Sequence, residues 1–371
     1  MRRLLDHFSI AALCTLFGLP LVLILFGVRA PGIENAAPVS FPGPPDRLSE
    51  AYIADMTAWM RERAPGRDLA VGAVAEVALA LNESANPVVT LGRDGWLYYT
   101  PTLDQDCFDD RWPETIASNV ARLQDAYAGA GKRLIVVVGP DKASIYPEHL
   151  PNVSSCVEEN WRRLNQALGA LERQDVVRLW EPLQAAATEE LVYLEADTHW
   201  NDVGASIAAR ELLETLEAGV FGESDISFDS VQPAPSDLRG LLGLGSRLGD
   251  APLADVERAG VSWQVIEETH VDPDLPKRFV EYRATTEGAS RLIEGSTVFL
   301  HDSFGIDVLD MLPPYFEHLT AAQTTDTKYP SVSRAIVTGD TVVILTVQRK
   351  IGQLFSSSKY EQFLAPLQPG G

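Results

Sequence analysis

Asp197 and His199 stand two positions apart in a short polar stretch, residues 197–201, that also holds Trp200. On an extended segment, residues i and i+2 point to the same side, so we expect the Asp197 carboxylate to orient the His199 imidazole. An imidazole held in this way acts as a general base toward a nucleophile. The stretch therefore predicts a base and its orienting acid, and it requires a nucleophile from elsewhere in the chain.

The best candidate for that nucleophile is Ser303, which follows an apolar run that ends at Leu300. A serine just past the end of a strand is exposed, and the N–H groups of a helix starting there face a developing oxyanion. Together with Asp197 and His199 it forms a candidate triad, because triads occur in many chain orders. The plainer interpretation is that the Asp-x-His pair arose by chance and that Ser303 caps a helix. The neighbouring Asp302 is expected to be a cap.

The composition limits the classes of function. The formal net charge is −22, which argues against a nucleic-acid partner because phosphate contacts need clustered lysine and arginine. The 46% hydrophobic content fits a globular protein with a substantial core. A neutral glycan or a small acyl donor conflicts less with this charge than a polyanion does. The alternative meaning of the charge is solubility alone.

The amino terminus predicts a membrane anchor. Residues 8–28 carry no charge and are numerous enough to cross the ~30 Å hydrocarbon core as a helix, and Arg2 and Arg3 precede them. The two arginines favour an amino terminus inside the cell. The competing interpretation is a cleaved signal peptide ending near Ala30. We expect an uncleaved anchor, with the rest of the chain outside the cytoplasm.

The remaining chain predicts an α/β domain with a doubly wound, mostly parallel sheet and a strand-rich insertion at residues 224–290. Its predicted strands include a hairpin over residues 87–99, runs at 134–138, 176–179 and 341–347, and a strand that begins at 298. Its predicted helices cover 114–129, 160–173, 203–216 and a segment from about 306. The predicted organisation is a stub and anchor (1–30), a proline-rich linker (31–46), a helical segment (47–86), the α/β domain (87–355) and a tail (356–371).

Four stretches, in this order, resemble the AlgJ/AlgX-type alginate O-acetyltransferase family, whose catalytic domain is SGNH-hydrolase-like. They are residues 92–99, 140–151, 197–201 and 301–304, and the resemblance covers about residues 87–350. The amino-terminal anchor is also common in this family. The order of the triad, with Asp and His before Ser, is similar to the circularly permuted arrangement of the family.

The resemblance implies a function. Ser303 would take an acetyl group and pass it to a sugar hydroxyl of an exopolysaccharide or cell-surface glycan, His199 would shuttle the proton, and Asp197 would hold its tautomer. Such proteins work beside a multi-spanning membrane acyltransferase that delivers the acetyl group. The expected location is the inner membrane, with the catalytic domain in the periplasm. No cofactor and no metal are expected.

The resemblance also points to supporting residues. Lys142 or Tyr146 would donate to the oxyanion, although a surface lysine and a packed aromatic are the plain alternatives. Trp200 would stack on a sugar ring or pack beneath His199. His301 stands where the family usually has glycine, and a structural hydrogen bond is the alternative to a second imidazole at the site. The pair Gln348-Arg349 stands where the family often has Glu-Arg.

Two further questions stay open in the sequence. Cys107 and Cys156 have no metal-site spacing, and they are either a disulfide, if this part is exported, or two unrelated thiols. The same triad also suits a carbohydrate acetyl-esterase, in which water replaces the sugar as acceptor. A glycan-binding scaffold without activity is the alternative from another class.

Overall fold

The structure of the protein is a computed structural model. It describes residues 39–43, 49–63, 67–103, 112–151, 155–171, 175–245, 247–272, 277–355 and 360–367. The predicted anchor and Cys107 lie outside these residues, and so does the predicted disulfide. Among the helices that the structure does describe, none is long and apolar enough to cross a membrane.

The described elements alternate between helix and strand along most of the chain. The α-helices are α1 (Glu50–Arg63), α2 (Arg67–Ala80), α3 (Trp112–Gly129), α4 (Lys142–Ile145), α5 (Ser155–Gly169), α6 (Trp180–Ala186), α7 (Asp202–Leu216), α8 (Asp237–Leu242), α9 (Gly305–Met311), α10 (Pro330–Thr338), α11 (Gln348–Phe355) and α12 (Glu361–Leu364). The strands are β1 (Val89–Leu91), β2 (Leu97–Tyr99), β3 (Arg133–Gly139), β4 (Val176–Arg178), β5 (Ile226–Pro235), β6 (Arg247–Val256), β7 (Val261–Asp272), β8 (Lys277–Thr286), β9 (Ile293–His301), β10 (Phe316–Gln323) and β11 (Thr341–Val347).

The chain divides into two compact units. One consists of Met1–Leu91 and Ser236–Arg247, and within it the described elements are α1, α2, β1 and α8. The side-chain amide of Asn86 donates to the carbonyl of Leu241 at 2.8 Å, which ties the end of the helical segment to α8. The second unit, Gly92–Pro235 and Leu248–Gly371, holds the large sheet.

The large sheet has seven strands in the order β4-β3-β11-β9-β10-β8-β7. The first five are parallel, whereas β8 pairs antiparallel with both β10 and β7. The predicted mostly parallel sheet is confirmed. Two strands of the predicted insertion, β7 and β8, extend this sheet rather than forming a separate layer. Strand β10, which lies between β9 and β8, was not predicted from the sequence.

Both faces of the central strands are buried, which explains their continuous apolar runs. In β3, Ile135 and Val137 belong to one hydrophobic core and Leu134, Val136 and Val138 to the other. Residues of α6, α7 and α9 fill the first core, and residues of α3, α5, α10 and α11 fill the second. The helices therefore cover the two faces of the sheet, as in a doubly wound fold.

Gly204 in α7 packs directly against backbone and provides a test of this packing. A methyl group at this position would overlap the carbonyl oxygen of Val192 and would lie 2.7 Å from Cβ of Trp200. We expect Gly204→Ala to lower the free energy of unfolding by about 1–3 kcal/mol, although alanine is the better helix former. Thermal unfolding followed by circular dichroism measures this change.

The matched control is Gly129→Ala at the end of α3, where an added methyl group meets nothing within 4 Å. That substitution should be neutral or should stabilise by up to about 1 kcal/mol. Equal effects at the two positions would show that the close packing of α7 on the Val192 loop is not as described.

Candidate functional site

Three loops begin side by side at the carboxyl edge of the large sheet. In the β11 register, Leu345 lies opposite His301 of β9 and Val347 lies opposite Gly139 of β3. The chain therefore leaves β3, β9 and β11 at neighbouring points and delivers Asp141, Asp302 and Arg349 to one edge. Ligands of open α/β sheets bind at this edge.

Asp197 and His199 form a hydrogen-bonded pair. The His199 Nδ1 lies 2.8 Å from Asp197 Oδ1, and the same carboxylate oxygen accepts the backbone N–H of His199 at 2.9 Å. The pair does not sit on an extended strand, as the sequence argument assumed. It lies in a loop closed by a single antiparallel bridge between Tyr193 and Trp200, and the backbone bond makes an Asx turn that aims the ring.

The nucleophile loop lies against this imidazole. The rings of His199 and Phe304 have centroids 4.9 Å apart, and Phe304 directly follows Ser303. Phe304 is fully buried, whereas Ser303 is partly exposed. The structure thus brings Asp197, His199 and the turn that carries Ser303 together at one place.

Asp302 holds this turn in position. One of its carboxylate oxygens accepts the Phe304 N–H at 2.9 Å, and the other accepts the Val347 N–H at 2.9 Å and the Thr346 hydroxyl at 3.2 Å. Asp302 therefore closes the turn before α9 and connects the end of β9 with the end of β11. Contrary to the sequence argument, it does not cap the helix, because the N-cap residue of α9 is Phe304 and has no side-chain cap bond. A carboxylate bonded to backbone N–H groups makes charge-assisted bonds, which are among the stronger protein hydrogen bonds.

His301 has a structural environment. Its side chain is buried at the end of β9, its Nδ1 lies 2.7 Å from the Asp302 carbonyl oxygen, and its ring stacks on Phe299. Burial lowers the pKa of His301, so the ring is neutral near pH 7 and Nδ1 is the donor. The side chain also packs against Gly305, where an added methyl group would overlap it. Its position corrects the idea of a second imidazole open to substrate.

Lys142 is buried and turned toward the Asp197 loop. Its ammonium group donates to the carbonyl oxygens of Leu194, Glu195 and Asp197 at 3.0, 2.8 and 2.6 Å. It also lies over the ring of Trp96, with Nζ 5.5 Å from the centroid. Because an ammonium group has three N–H donors, this geometry assigns Lys142 to holding the loop and not to the oxyanion role that the resemblance suggested.

Tyr146 and Trp200 are likewise packed inside. The Tyr146 hydroxyl accepts the Val192 N–H at 3.0 Å, so it supports the start of the Asp197 loop. Trp200 is 1% exposed and packs edge-on against Phe304, with centroids 5.0 Å apart. A buried indole has no face to offer a sugar ring, and the packing alternative for Trp200 is the one that the structure shows.

The sequence argument missed the role of Arg349. Its guanidinium is paired with the buried Asp141 carboxylate and lies over the Phe304 ring, 4.9 Å from the centroid. The preceding Gln348 accepts the Ser144 hydroxyl at 2.8 Å and the Asp141 N–H at 3.2 Å. The pair Gln348-Arg349 therefore links the loop after β11 to the loop after β3, beneath the nucleophile turn. The position of this pair directly after a buried strand is the sequence feature that could have predicted its role.

Asp307 is a second residue that the sequence argument missed. It lies partly buried in the first turn of α9, and it interacts electrostatically with Asp202 of α7 and with His199. Burial, together with the Asp202 carboxylate, raises the pKa of Asp307 to about 7. The Asp307 carboxyl group, which interacts with the imidazole, therefore changes its own charge near neutral pH.

The described residues have an SGNH hydrolase-like α/β fold. Residues 89–255 match the family model described as the SGNH hydrolase-like domain of the acetyltransferase AlgX. This stretch contains Asp197 and His199 and ends before Ser303. The resemblance to the AlgJ/AlgX-type alginate O-acetyltransferase family is thereby confirmed.

The chain is similar to a curated relative over part of that relative's length, and solved structures show the same fold. The chain is 31% identical over 152 residues to the probable alginate O-acetylase AlgJ of Pseudomonas syringae pv. tomato, a match that covers 40% of this chain and 38% of that relative. The fold is similar to Bacillus cereus PatB1 with a sulfonyl adduct, with a TM-score of 0.52 at 15% identity over 74% of this chain and 97% of that one. It is also similar to a DHHW family protein from Eubacterium siraeum, with a TM-score of 0.51 at 14% identity over 75% and 98%.

The Lys142 contacts generate a stability prediction. We expect Lys142→Met to lower the free energy of unfolding by about 2–4 kcal/mol, because three buried carbonyl oxygens lose their charged donor. Urea unfolding measures the loss. The control is Lys132→Met: the Lys132 ammonium is only partly buried and donates to one carbonyl, that of Gly339, at 2.5 Å. That change should cost less than about 1 kcal/mol, and comparable losses would contradict the role of Lys142.

Asp307 generates a pH prediction. Its folded pKa of about 7 lies above the unfolded value of about 3.9, so the native state holds this proton more tightly and loses stability as pH rises from about 4 to 7. Asp307→Asn cannot ionise and escapes this loss. We expect the variant to gain about 1–2 kcal/mol over wild type between pH 5 and pH 8, measured by urea unfolding at both pH values.

The control for Asp307 is Glu294→Gln, which removes an exposed carboxylate at the other end of β9. The stability difference between this variant and wild type should stay constant between pH 5 and pH 8. A constant difference for Asp307→Asn as well would mean that the Asp307 carboxyl titrates normally.

Proposed function

We propose that this protein is an extracytoplasmic O-acetyltransferase that moves acetyl groups onto hydroxyls of an exopolysaccharide or cell-surface glycan through an acyl-serine intermediate on Ser303. The observation that carries the proposal is the Asp197–His199 hydrogen bond of 2.8 Å, with the imidazole packed against Phe304 beside Ser303. An oriented base beside a partly exposed serine at the carboxyl edge of a sheet is the arrangement of a serine acyltransferase or hydrolase.

The proton path follows from the hydrogen bonds. The His199 Nδ1 is engaged by Asp197, which leaves Nε2 to take the proton of the Ser303 hydroxyl. The Ser303 Oγ then attacks the acetyl carbonyl, the bond from that carbon to the donor oxygen breaks, and His199 returns the proton to the departing oxygen. A sugar hydroxyl next loses its proton to His199 and attacks the acetyl-serine. The Ser303 oxygen leaves with that proton, and the enzyme is restored.

The oxyanion of each step needs hydrogen-bond donors. The Phe304 N–H donates to the Asp302 carboxylate, and the Gly305 N–H donates to the Asp302 carbonyl at 3.1 Å. Both N–H groups are therefore already hydrogen-bonded within the turn. We assign the Ser303 N–H to the oxyanion, because the turn formed by Asp302 leaves this group at the tip. The sugar or a residue beyond this turn would supply a second donor.

The protein also needs a location and a source of acetyl groups. Residues 8–28 would anchor the chain in the inner membrane and hold the domain in the periplasm, close to a multi-spanning membrane acyltransferase that supplies acetyl groups. The relatives named probable alginate O-acetylase AlgJ support acetyl transfer to a polysaccharide. The matched stretch is 38% and 40% of the length of these two relatives.

The test follows acetyl release from 4-nitrophenyl acetate by the purified full chain, with and without oligosaccharides. We expect Ser303→Ala and His199→Ala to lower kcat/KM at least about 1,000-fold, because the members of a triad act as one unit. Ser333→Ala in α10 is the matched control and should leave the rate unchanged. Acetylated sugar in the product supports the transferase, free acetate alone supports the esterase, and serine-independent release would refute both.

Covalent labelling gives a second measurement of the same proposal. A small sulfonyl fluoride should add one sulfonyl group to the wild type, and peptide mass spectrometry should locate it on Ser303. Asp197→Asn should slow the labelling by about 100-fold or more, because the imidazole then loses its orienting charge. Labelling at another serine, or equal rates in the two proteins, would contradict the assigned nucleophile.

A further inference from the structure

We infer that helix α2 lies on the surface of a lipid bilayer and contacts it through an uncovered apolar face. The inference rests on the proposed function in one respect, because it takes residues 8–28 as the anchor that keeps the chain beside a bilayer. The exposure of α2 and the chemistry of its outward side carry the inference.

One side of α2 is apolar throughout and open to solvent. At 3.6 residues per turn, seven apolar side chains project away from the buried Ala75, and all seven are exposed. Leu69 is 82% exposed, and Leu81, directly after the helix, is 67% exposed. Val74 and Val77 are 65% and 62% exposed. We call this side the outer face of α2, and its members are Leu69, Ala70, Ala73, Val74, Val77, Ala80 and Leu81.

The opposite side of α2 contacts its own unit through small residues. Ala75 is fully buried, and a methyl group added at Gly72 would lie 3.3 Å from the Gly243 carbonyl oxygen, directly after α8. A helix that is apolar all round is normally buried on every side, in a protein core or in a membrane. The contact with α8 uses the small residues, and among the described residues the outer face stays uncovered.

The chemistry of the outer face fits lipid better than protein. Protein interfaces centre on aromatic and arginine side chains with a polar rim, whereas the outer face consists of leucine, valine and alanine alone. Acyl chains require no hydrogen-bonding group from the surface that contacts them. The exposed Glu76 stands at the edge of this face by the helical period, where its carboxylate reaches water. The outer face therefore matches the boundary between acyl chains and headgroups.

The length of α2 and its place in the chain agree with this position. Its 14 residues make a helix about 21 Å long, which is shorter than the ~30 Å hydrocarbon core and so lies along a bilayer rather than across it. Residues 29–49 connect the apolar run 8–28 to α1, and fully extended they reach at most about 75 Å. The anchor would thus hold α2 near lipid at a high effective concentration, and two membrane contacts on one chain bind more strongly than either alone.

Photo-crosslinking identifies what covers the outer face. The full chain, with a diazirine amino acid in place of Val77, is reconstituted into nanodiscs of phosphatidylcholine, a neutral lipid that does not repel a chain of net charge −22. Peptide mass spectrometry measures the lipid adduct. The control has the same amino acid in place of Val337, which is 44% exposed in α10. We expect about ten times more lipid adduct at position 77 than at position 337, because only the first is buried in lipid.

Two substitutions test whether apolar contact produces the adduct. Val74→Gln and Leu81→Gln each remove an apolar side chain beside position 77, which should weaken the lipid contact about tenfold per substitution. Together they should lower the adduct at position 77 to the level at position 337. Val231→Gln, at a valine of β5 that is 66% exposed, should leave the adduct unchanged.

Equal lipid adducts at positions 77 and 337, or an adduct that survives the double substitution, would overturn the inference. A crosslink between two copies of the chain in place of the lipid adduct would also overturn it, because a second copy would then cover the outer face. Recovery of the chain apart from the discs would refute both the anchor and this inference.

Release of 4-nitrophenyl acetate by the same nanodisc sample separates the two proposals. Serine-dependent release without a lipid adduct at position 77 overturns only the placement of α2. A lipid adduct at position 77 together with serine-independent release refutes the proposed acyl transfer and supports the placement of α2.

Discussion

The arrangement of the site depends on the hydrogen bonds that the buried Lys142 ammonium group donates to backbone carbonyl oxygens. A charge removed from water is tolerated only when it is compensated, and here three backbone carbonyl oxygens of one loop provide the compensation. That loop has little regular structure of its own and is closed by a single bridge. Because the loop must wrap around the ammonium group, the position of Asp197 is fixed relative to the end of β3, and the imidazole of His199 follows from it.

On the Ser303 side of the site, a buried negative charge is compensated by backbone groups in the same way. The Asp302 carboxylate gathers N–H groups from its own turn and from the end of β11, while Arg349 at the start of α11 is paired with Asp141 after β3. Loops at the edge of a parallel sheet share no ladder of hydrogen bonds with one another. Charged side chains bonded to backbone replace that ladder and connect the loops after β3, β9 and β11 into one platform beneath Phe304.

The sequence predicted the parts of the fold that have a local signal. Strands β3 and β11 consist mainly of consecutive apolar residues, which predicted them. Strand β10 carries Glu317, His318 and Thr320 and has no such pattern, and it forms because β8 and β9 pair with it. The association of Asp197 with His199 was correct, but an Asx turn and not strand geometry produces it. The roles of Lys142 and Asp307 depend on which distant segments pack around them, and no spacing in the chain encodes that.

The two halves of the site differ in how they are attached to the protein. The Ser303 turn continues from β9, which is paired on both sides by parallel strands, and Asp302 adds a bond to the last residue of β11. The His199 loop is held by side chains, by the bridge between Tyr193 and Trp200, and by the Leu97 N–H, which donates to the Glu195 carbonyl oxygen at 2.9 Å. We therefore expect the amide hydrogens of the serine turn to exchange with solvent more slowly than those of the histidine loop. The serine half of the site therefore depends on the pairing of the sheet, whereas the histidine half depends on the side chains that hold its loop.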